Sequence, residues 1–263
     1  MDKIPSATPR IRTATSVAES GRDAALRAAE VLRQAIAERG SARAIFASAP
    51  SQQQMLIELA TAPGIDWTRV TSFHMDEYLG LSPEHPNGFG LWLRNHLPDA
   101  AMAGFERIDA TGRPVAEATR YSALVAEEPI DLVCLGIGVN GHIAFNEPGL
   151  SGPEDPEIAR IVTLDDASRQ QQVHERLFDC LDHVPTQALT LTIPTLLSGR
   201  SLVCSVSGSH KAEAVARAAH GPIDDSCPAS FLRTHPDVEW FLDTAAAALL
   251  DTAPDASDAS LPL

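Results

Sequence analysis

The stretch Ile130-Asp131-Leu132-Val133-Cys134-Leu135-Gly136-Ile137-Gly138-Val139-Asn140-Gly141-His142-Ile143-Ala144-Phe145-Asn146-Glu147-Pro148-Gly149 decides the fold. Its first half is apolar without alternation, which suits a central parallel strand covered on both faces. Its second half is a glycine-rich loop carrying a histidine, two asparagines and a glutamate. In open α/β sheets, ligands lie beyond the carboxyl ends of the strands, near the point where strand order reverses.

Working outward, the same alternation of strand and helix recurs. Upstream, apolar residues at helical spacing from Ser16 to about Arg39 end at Gly40, a helix stop signal. ARAIFASA (42–49) reads as a strand, followed by a helix through Met55, Leu56 and Leu59. TRVTSFHM (68–75) is a second strand, and HPNGFGLWLRNHL (85–97) a loop then a helix. A strand near FERIDA (105–110) precedes a helix from Pro114 to about Glu128, with proline at the favoured first position. Downstream come a strand ARIVTL (159–164), a polar helix SRQQQVHERLF (168–178), a buried strand SLVCSVSG (201–208), a helix to Gly221, and a last strand PDVEWFLD (236–243). Residues 1–12 read as a loose lead-in, and the tail from about Asp251 as disordered. Five or six alternations predict an α/β fold: a doubly wound, mostly parallel, Rossmann-like three-layer sheet in a single domain over residues 1–250.

Composition narrows the function. The 263 residues carry 20 Lys+Arg against 35 Asp+Glu, a formal net charge of −15. That balance gives no basic field for nucleic acid and disfavours an anionic membrane surface. A small anionic substrate must be held by local donors. No apolar run reaches the length of about 18 residues that a membrane helix needs, and the N-terminus has no signal-peptide core. The four cysteines form no C-x-x-C pair; Cys134 and Cys204 lie in apolar runs as small hydrophobes. These features point to a reduced, cytoplasmic protein.

Four loops follow strands. Gly136-x-Gly138-x-x-Gly141 matches a dinucleotide fingerprint, but it lies mid-chain and runs into Asn-Glu-Pro-Gly, where no useful helix fits. No nicotinamide cofactor is expected; the glycines let backbone approach a small ligand. His142 and Glu147, with Asn140 beside them, can form a proton-shuttling imidazole held by a carboxylate; a histidine merely hydrogen-bonded in a turn is the plainer alternative. Asp76, after an apolar strand, can serve as a general base, while Glu77 points the other way by strand alternation. A helix cap or surface turn would explain the pair equally. Ser48-Ala49-Pro50-Ser51 and Ser207-Gly208-Ser209-His210-Lys211 each join strand to helix, where hydroxyls, N–H groups and the Lys211 ammonium can meet an anion. A plain helix cap and a solvated lysine are the alternatives. No histidine or cysteine spacing suggests a metal, and no G-x-S-x-G elbow a serine hydrolase.

FHMDEYLGL (73–81) followed by GIGVNGHIAFNEPG (136–149), with VPTQALTLTIPTLL (184–197) and SGSHKA (207–212) in support, resembles the glucosamine-6-phosphate deaminase/isomerase family. The resemblance covers roughly residues 40–245 and extends to the 6-phosphogluconolactonase-related superfamily. It implies an amino-sugar-phosphate deaminase/isomerase, a hydrolase in the broad sense, that needs no cofactor. Asp76, Asn140, His142 and Glu147 would be catalytic. Asp76 would move a proton from carbon 2 to carbon 1, His142 would open the pyranose, and Glu147 would orient His142. Asn140 stands where many members have aspartate, so His142 should lean more on Glu147. Ser48, Ala49, Ser51, Glu77, Gly136, Gly138, Ala144 and Lys211 would bind substrate, together with an arginine, for which Arg169 and Arg176 are both candidates. Residues 150–185 would form a lid. The first phosphate loop departs from the family's Thr-Gly-Gly-Thr/Ser-Pro. A deaminase for galactosamine 6-phosphate, a lactonase or isomerase, and a non-catalytic sugar-phosphate sensor remain as alternatives. Self-association into a homo-oligomer is left open.

Overall fold

The computed structural model describes residues 9–164, 166–174 and 177–250. Seven strands form one sheet in which every pairing is parallel: β1 (Arg10–Ala14), β2 (Ala42–Phe46), β3 (Val70–His74), β5 (Phe105–Glu106), β6 (Leu132–Leu135), β9 (Ser201–Val206) and β10 (Val238–Asp243). Their order is β1-β10-β9-β6-β2-β3-β5. A second sheet is antiparallel and smaller, with β4 (Asp76–Tyr78), β8 (Gln187–Leu191) and β7 (Ala159–Thr163) in the order β4-β8-β7.

Side-chain alternation along the central strands explains the three layers. Ala44 and Phe46 of β2, Leu132 and Cys134 of β6, and Phe241 of β10 pack into one core. Ile45, Val133, Leu135, Trp240 and Leu242, their alternates, pack into the other. The first core is covered by α1 (Val17–Arg39), α2 (Gln53–Ala60) and α3 (Phe89–Arg94). The second is covered by α4 (Pro114–Ala126), α6 (Ile193–Leu197) and α7 (Ala212–His220). Both faces are apolar because both are covered. Burial pushes the Cys134 and Cys204 thiols far up, as expected of inert core residues. The helix α1 starts and stops where its sequence says. Ser16 accepts from Glu19 N–H at its start, and Gly40 closes its end. No helix of the described residues is long and apolar enough to cross a membrane.

Three elements differ from the sequence expectation. The supposed lead-in contains β1, a polar edge strand whose Arg10 and Arg12 pair with Asp237, just before β10, and Glu239 on it. Asp76–Tyr78 is a strand, not a loop, and β8 arises in the 184–197 stretch, where no strand was expected. Both strands exist because they pair with each other, across more than a hundred residues of chain. The expected lid segment, 150–185, holds β7 and α5 (Asp166–His174), and β7 is locked to β8 along its whole length. The expected disordered tail lies outside the described residues.

Candidate active site

Strand order reverses at β2. The chain leaves β2 for β3 and β5 on one side, then returns to β6 on the other. The carboxyl ends of β3 and β6 therefore flank that of β2, about 10 Å apart at the usual strand spacing. This is the crevice where an open sheet of this kind takes its ligand.

Beyond β6, Gly138 N–H donates to His142 O at 2.9 Å and Gly141 N–H to Gly138 O at 3.0 Å, which coils the loop on itself. The imidazole of His142 then lies over Gly138. A Cβ on Gly138 would sit 2.2 Å from His142 Nε2, so the ring needs a glycine beneath it. His142 Nδ1 lies 3.3 Å from Glu147 Oε1, an ion-pair distance off the line of a good hydrogen bond. Asn140 spans the two: its Nδ2 donates to Glu147 Oε2 at 2.6 Å, and its Oδ1 accepts from His142 N–H at 3.1 Å. The imidazole keeps 34% of its exposure and can meet a ligand.

The same loop closes on a tight turn between Ile143 and Asn146. Within it Ala144 takes a φ of +52°, the one left-handed non-glycine residue among the described residues. Such backbone strain persists only when neighbours over-determine it. Here Asn146, wholly buried, donates to Ile143 O and Leu191 O at 2.9 and 2.8 Å. Phe145 N–H donates to Thr190 Oγ1 at 3.2 Å.

Asp76 opens β4 directly opposite Thr190 on β8. Thr190 thus joins the strand that carries the acid to the loop that carries the imidazole. Asp76 is buried, and burial, then the neighbouring Glu77 carboxylate, push its carboxyl well above the usual range. The end of β3 just before it is fixed by Tyr121. The phenol donates to His74 O at 2.7 Å and accepts from His74 N–H at 3.0 Å. The His74 ring is buried too, and burial with the nearby Arg107 charge holds its pKa down at about 3. Its Nε2 accepts from Ile108 N–H at 2.9 Å, which puts the neutral ring's proton on Nδ1.

Glu77 fits the supporting role that strand alternation gives it, and corrects the substrate contact that the resemblance implied. Its carboxylate accepts from Tyr78, Phe89 and Gly90 N–H at 2.8–3.0 Å, so it anchors the start of α3 instead of meeting a substrate. Burial raises its pKa despite those three bonds. Arg169 is a second correction. Its guanidinium, 12% exposed, is spent on Leu181 O, Val184 O and Asp166 within its own segment. Arg176, the other candidate, lies outside the described residues.

Ser48, Ala49 and Ser51 form the half-buried loop beyond β2, and a single turn, Pro50–Gln52, leads from it into α2. The Ser48 hydroxyl is buried with no partner among the described residues. Gly136, the first residue beyond β6, faces this loop. A Cβ there would stand 3.3 Å from Ser51 Oγ. Lys211 closes the turn between β9 and α7, half-buried at the helix start. Thr190, Asn146 and Gln52 went unnoticed in the sequence. The alternation of ALTLT (188–192) was the available signal for Thr190; nothing local marks a buried Gln52 inside a run of three glutamines.

Titratable side chains along the β3 and β6 ends, with hydroxyls and an ammonium at the β2 and β9 ends, are what an α/β enzyme site for a small anionic molecule would offer. The family model for glucosamine-6-phosphate isomerases/6-phosphogluconolactonase matches residues 15–240, and the chain belongs to that family. A glucosamine-6-phosphate deaminase of Exiguobacterium sibiricum is 41% identical over 188 residues, 71% of this chain and 73% of its own. One of Rhodopirellula baltica is 39% identical over 212 residues, 75% and 79% of the two chains. Among solved structures, a monomeric glucosamine-6-phosphate deaminase superposes with a TM-score of 0.82 at 30% identity, covering 91% of this chain and 99% of that one. The 6-phosphogluconolactonase of Trypanosoma brucei, at 16% identity and a TM-score of 0.73 over 93% and 100%, shares the fold.

Proposed function

We propose that this chain is a glucosamine-6-phosphate deaminase, converting glucosamine 6-phosphate and water to fructose 6-phosphate and ammonia. The observation that supports the reading is Thr190, which faces the buried Asp76 across the β4–β8 pair and accepts Phe145 N–H from the loop that carries His142 and its neighbour Glu147. The relatives named above support the substrate.

In this reading His142 shuttles the proton that opens the pyranose at its ring oxygen, and Glu147 balances the charge that appears on the ring. The Asp76 carboxylate takes the carbon-2 proton while the carbonyl oxygen at carbon 1 gains one, giving an enolamine. Asp76 then returns its proton to carbon 1. Carbon 2 is left as an imine, which water hydrolyses to the ketone with release of ammonia. A carboxylate with a raised pKa suits both transfers, because it is a stronger base when ionised and a competent acid when protonated. Main-chain groups of Gly136, Gly138 and Ala144 line the sugar. Ser48, the Ala49 backbone, Ser51, Lys211 and Arg176 hold the phosphate, whose binding energy fixes the reacting carbons against Asp76.

Ammonia release measured against a panel of hexosamine 6-phosphates tests this. Turnover of glucosamine 6-phosphate is expected. Release from galactosamine 6-phosphate alone would move the assignment to that epimer, and no release from any member of the panel would end it.

A further inference from the structure

Gln52 is wholly buried at the carboxyl end of β2, in the turn that starts α2. Its Nε2 donates to Ser205 O at 2.9 Å and to Ser51 Oγ at 3.3 Å. A carbonyl oxygen can only accept, so the amide nitrogen must face Ser205, and the orientation of the amide is fixed by chemistry. Ser205 lies on β9, two strands away from β2, with β6 between. The amide therefore reaches across the end of β6. It passes over Gly136, where a Cβ would stand 3.0 Å from Nε2 and 3.3 Å from both Ser205 O and Ser51 Oγ. One buried side chain thus ties together the ends of β2, β6 and β9, and β9 leads within a few residues to Lys211.

Both amide hydrogens are used in these two bonds. Ser51 Oγ accepts one of them, so its own hydrogen is left to point elsewhere, and no acceptor takes it among the described residues. A hydroxyl has one hydrogen to donate. Gln52 accordingly makes Ser51 a hydrogen-bond donor with a free direction. Its own Oε1 is buried without a partner among the described residues, as is the Ser48 hydroxyl. Buried polar atoms in that state are uncommon in native proteins and cluster where a ligand or a function requires them.

We propose that Gln52 is the positioning residue of the phosphate subsite: by donating to Ser51 Oγ and gripping β9, it fills one of the hydroxyl's two acceptor positions and leaves its hydrogen for the ligand, which favours a ligand rich in acceptors, a phosphate dianion. A sugar hydroxyl presents a donor as well and gains less from the arrangement. The inference deepens the deaminase reading and rests on it for the location of the phosphate.

The experiment is a double-mutant cycle on Gln52→Met and Ser51→Ala. Methionine keeps the length of the side chain and removes both donors. Binding of inorganic phosphate, measured by calorimetry, and KM and kcat for glucosamine 6-phosphate are read in all four proteins. Gln52→Met is expected to weaken phosphate binding and raise KM by about tenfold, the scale of one hydrogen bond to a charged group, with kcat nearly unchanged. In the Ser51→Ala background the same change should have little further effect. Equal effects of Gln52→Met in both backgrounds, or unchanged phosphate binding, would overturn the proposal. Should Gln52→Met not fold, Gln52→Asn, which keeps the amide but withdraws it by one methylene, is expected to act in the same direction and is read in the same way. The phosphate measurement does not depend on turnover. A wild-type protein that binds phosphate through Gln52 yet releases no ammonia would sink the deaminase reading alone.

Discussion

Asn140 is the donor in a 2.6 Å hydrogen bond to Glu147 Oε2, while its carbonyl oxygen accepts from His142 N–H. Both ends of the amide are used, and only an amide has both ends. An aspartate at this position would set a second carboxylate against Glu147 at the same distance. Two like charges so close resist joint ionisation, and one proton would be shared between them. Asn140→Asp is therefore expected to lower kcat/KM by about tenfold at neutral pH, with part of the loss recovered at lower pH as the shared proton binds. A pH–rate profile that merely scales down without changing shape would argue that Asn140 acts only as a turn residue.

Asp76 offers a trade between activity and stability. Its pKa is raised in the folded protein above the ordinary 3.8. A group of that kind binds its proton more tightly when folded, so the stability it lends is full below pH 3.8 and is lost as pH rises through the folded value. Asp76→Asn should cut kcat by about 10²- to 10⁴-fold, the scale of a lost general base. The same variant should melt at a higher temperature than wild type at neutral pH, and the difference should disappear in acid. A variant with full turnover would remove Asp76 from proton transfer.

His74 acts in the opposite sense. Its pKa is held at about 3 against an ordinary 6.5. Between those values the unfolded chain takes up a proton that the folded protein refuses, so stability falls as pH drops from about 6.5 toward about 3. His74→Gln, which keeps an acceptor for Ile108 N–H without the titration, should flatten that acid limb. Denaturant melts across the window measure it; parallel curves for the two proteins would mean that some other group governs acid unfolding.

Lys211 should matter to binding and not to chemistry. Lys211→Ala is expected to raise KM by about 10- to 100-fold with kcat within a few-fold of wild type, the cost of one charge-assisted contact to the phosphate. Inhibition by inorganic phosphate should weaken in step. An unchanged KM would take Lys211 out of the phosphate subsite.

What could be read in the sequence follows from how local its physical cause is. The helix α1 announces both its ends because Ser16 and Gly40 act within one turn of it. The strand β6 is legible because it is covered on both faces, so its apolar run is unbroken. By contrast β1 spells Arg-Ile-Arg-Thr-Ala, and its reason to be a strand is the acidic edge of β10, more than two hundred residues away. The small sheet was hidden for the same reason, since β4 has only three residues and exists through β8. In the site, Asn140, His142 and Glu147 share one loop and could be grouped from spacing, whereas the resemblance made Glu77 a ligand contact because two of its three amide partners, Phe89 and Gly90 at the start of α3, lie a dozen residues further along the chain. Arg169 failed likewise: its acceptors, Leu181 and Val184, are main-chain carbonyls that no composition marks.

Thr190 tests whether the two halves of the site are coupled through the small sheet. It faces Asp76 across the β4–β8 pair, and its hydroxyl accepts from Phe145 N–H at 3.2 Å and donates to Leu191 O at 3.2 Å. Thr190→Val keeps the shape and removes the acceptor, leaving the Phe145 N–H without it. The loss of that partner is worth about 1–3 kcal/mol, and it falls on the turn that holds Ala144 at its left-handed φ. We expect kcat to drop by about tenfold, because a displaced turn carries the imidazole out of line with the sugar, while phosphate inhibition stays near wild type, since the Thr190 hydroxyl is bonded to Phe145 and Leu191 and not to Ser48 or Ser51. Thr190→Ser restores the hydroxyl and should restore most of kcat. If valine and serine variants have the same kcat, the hydroxyl does not couple the acid to the imidazole, and the two catalytic loops are set independently of β8.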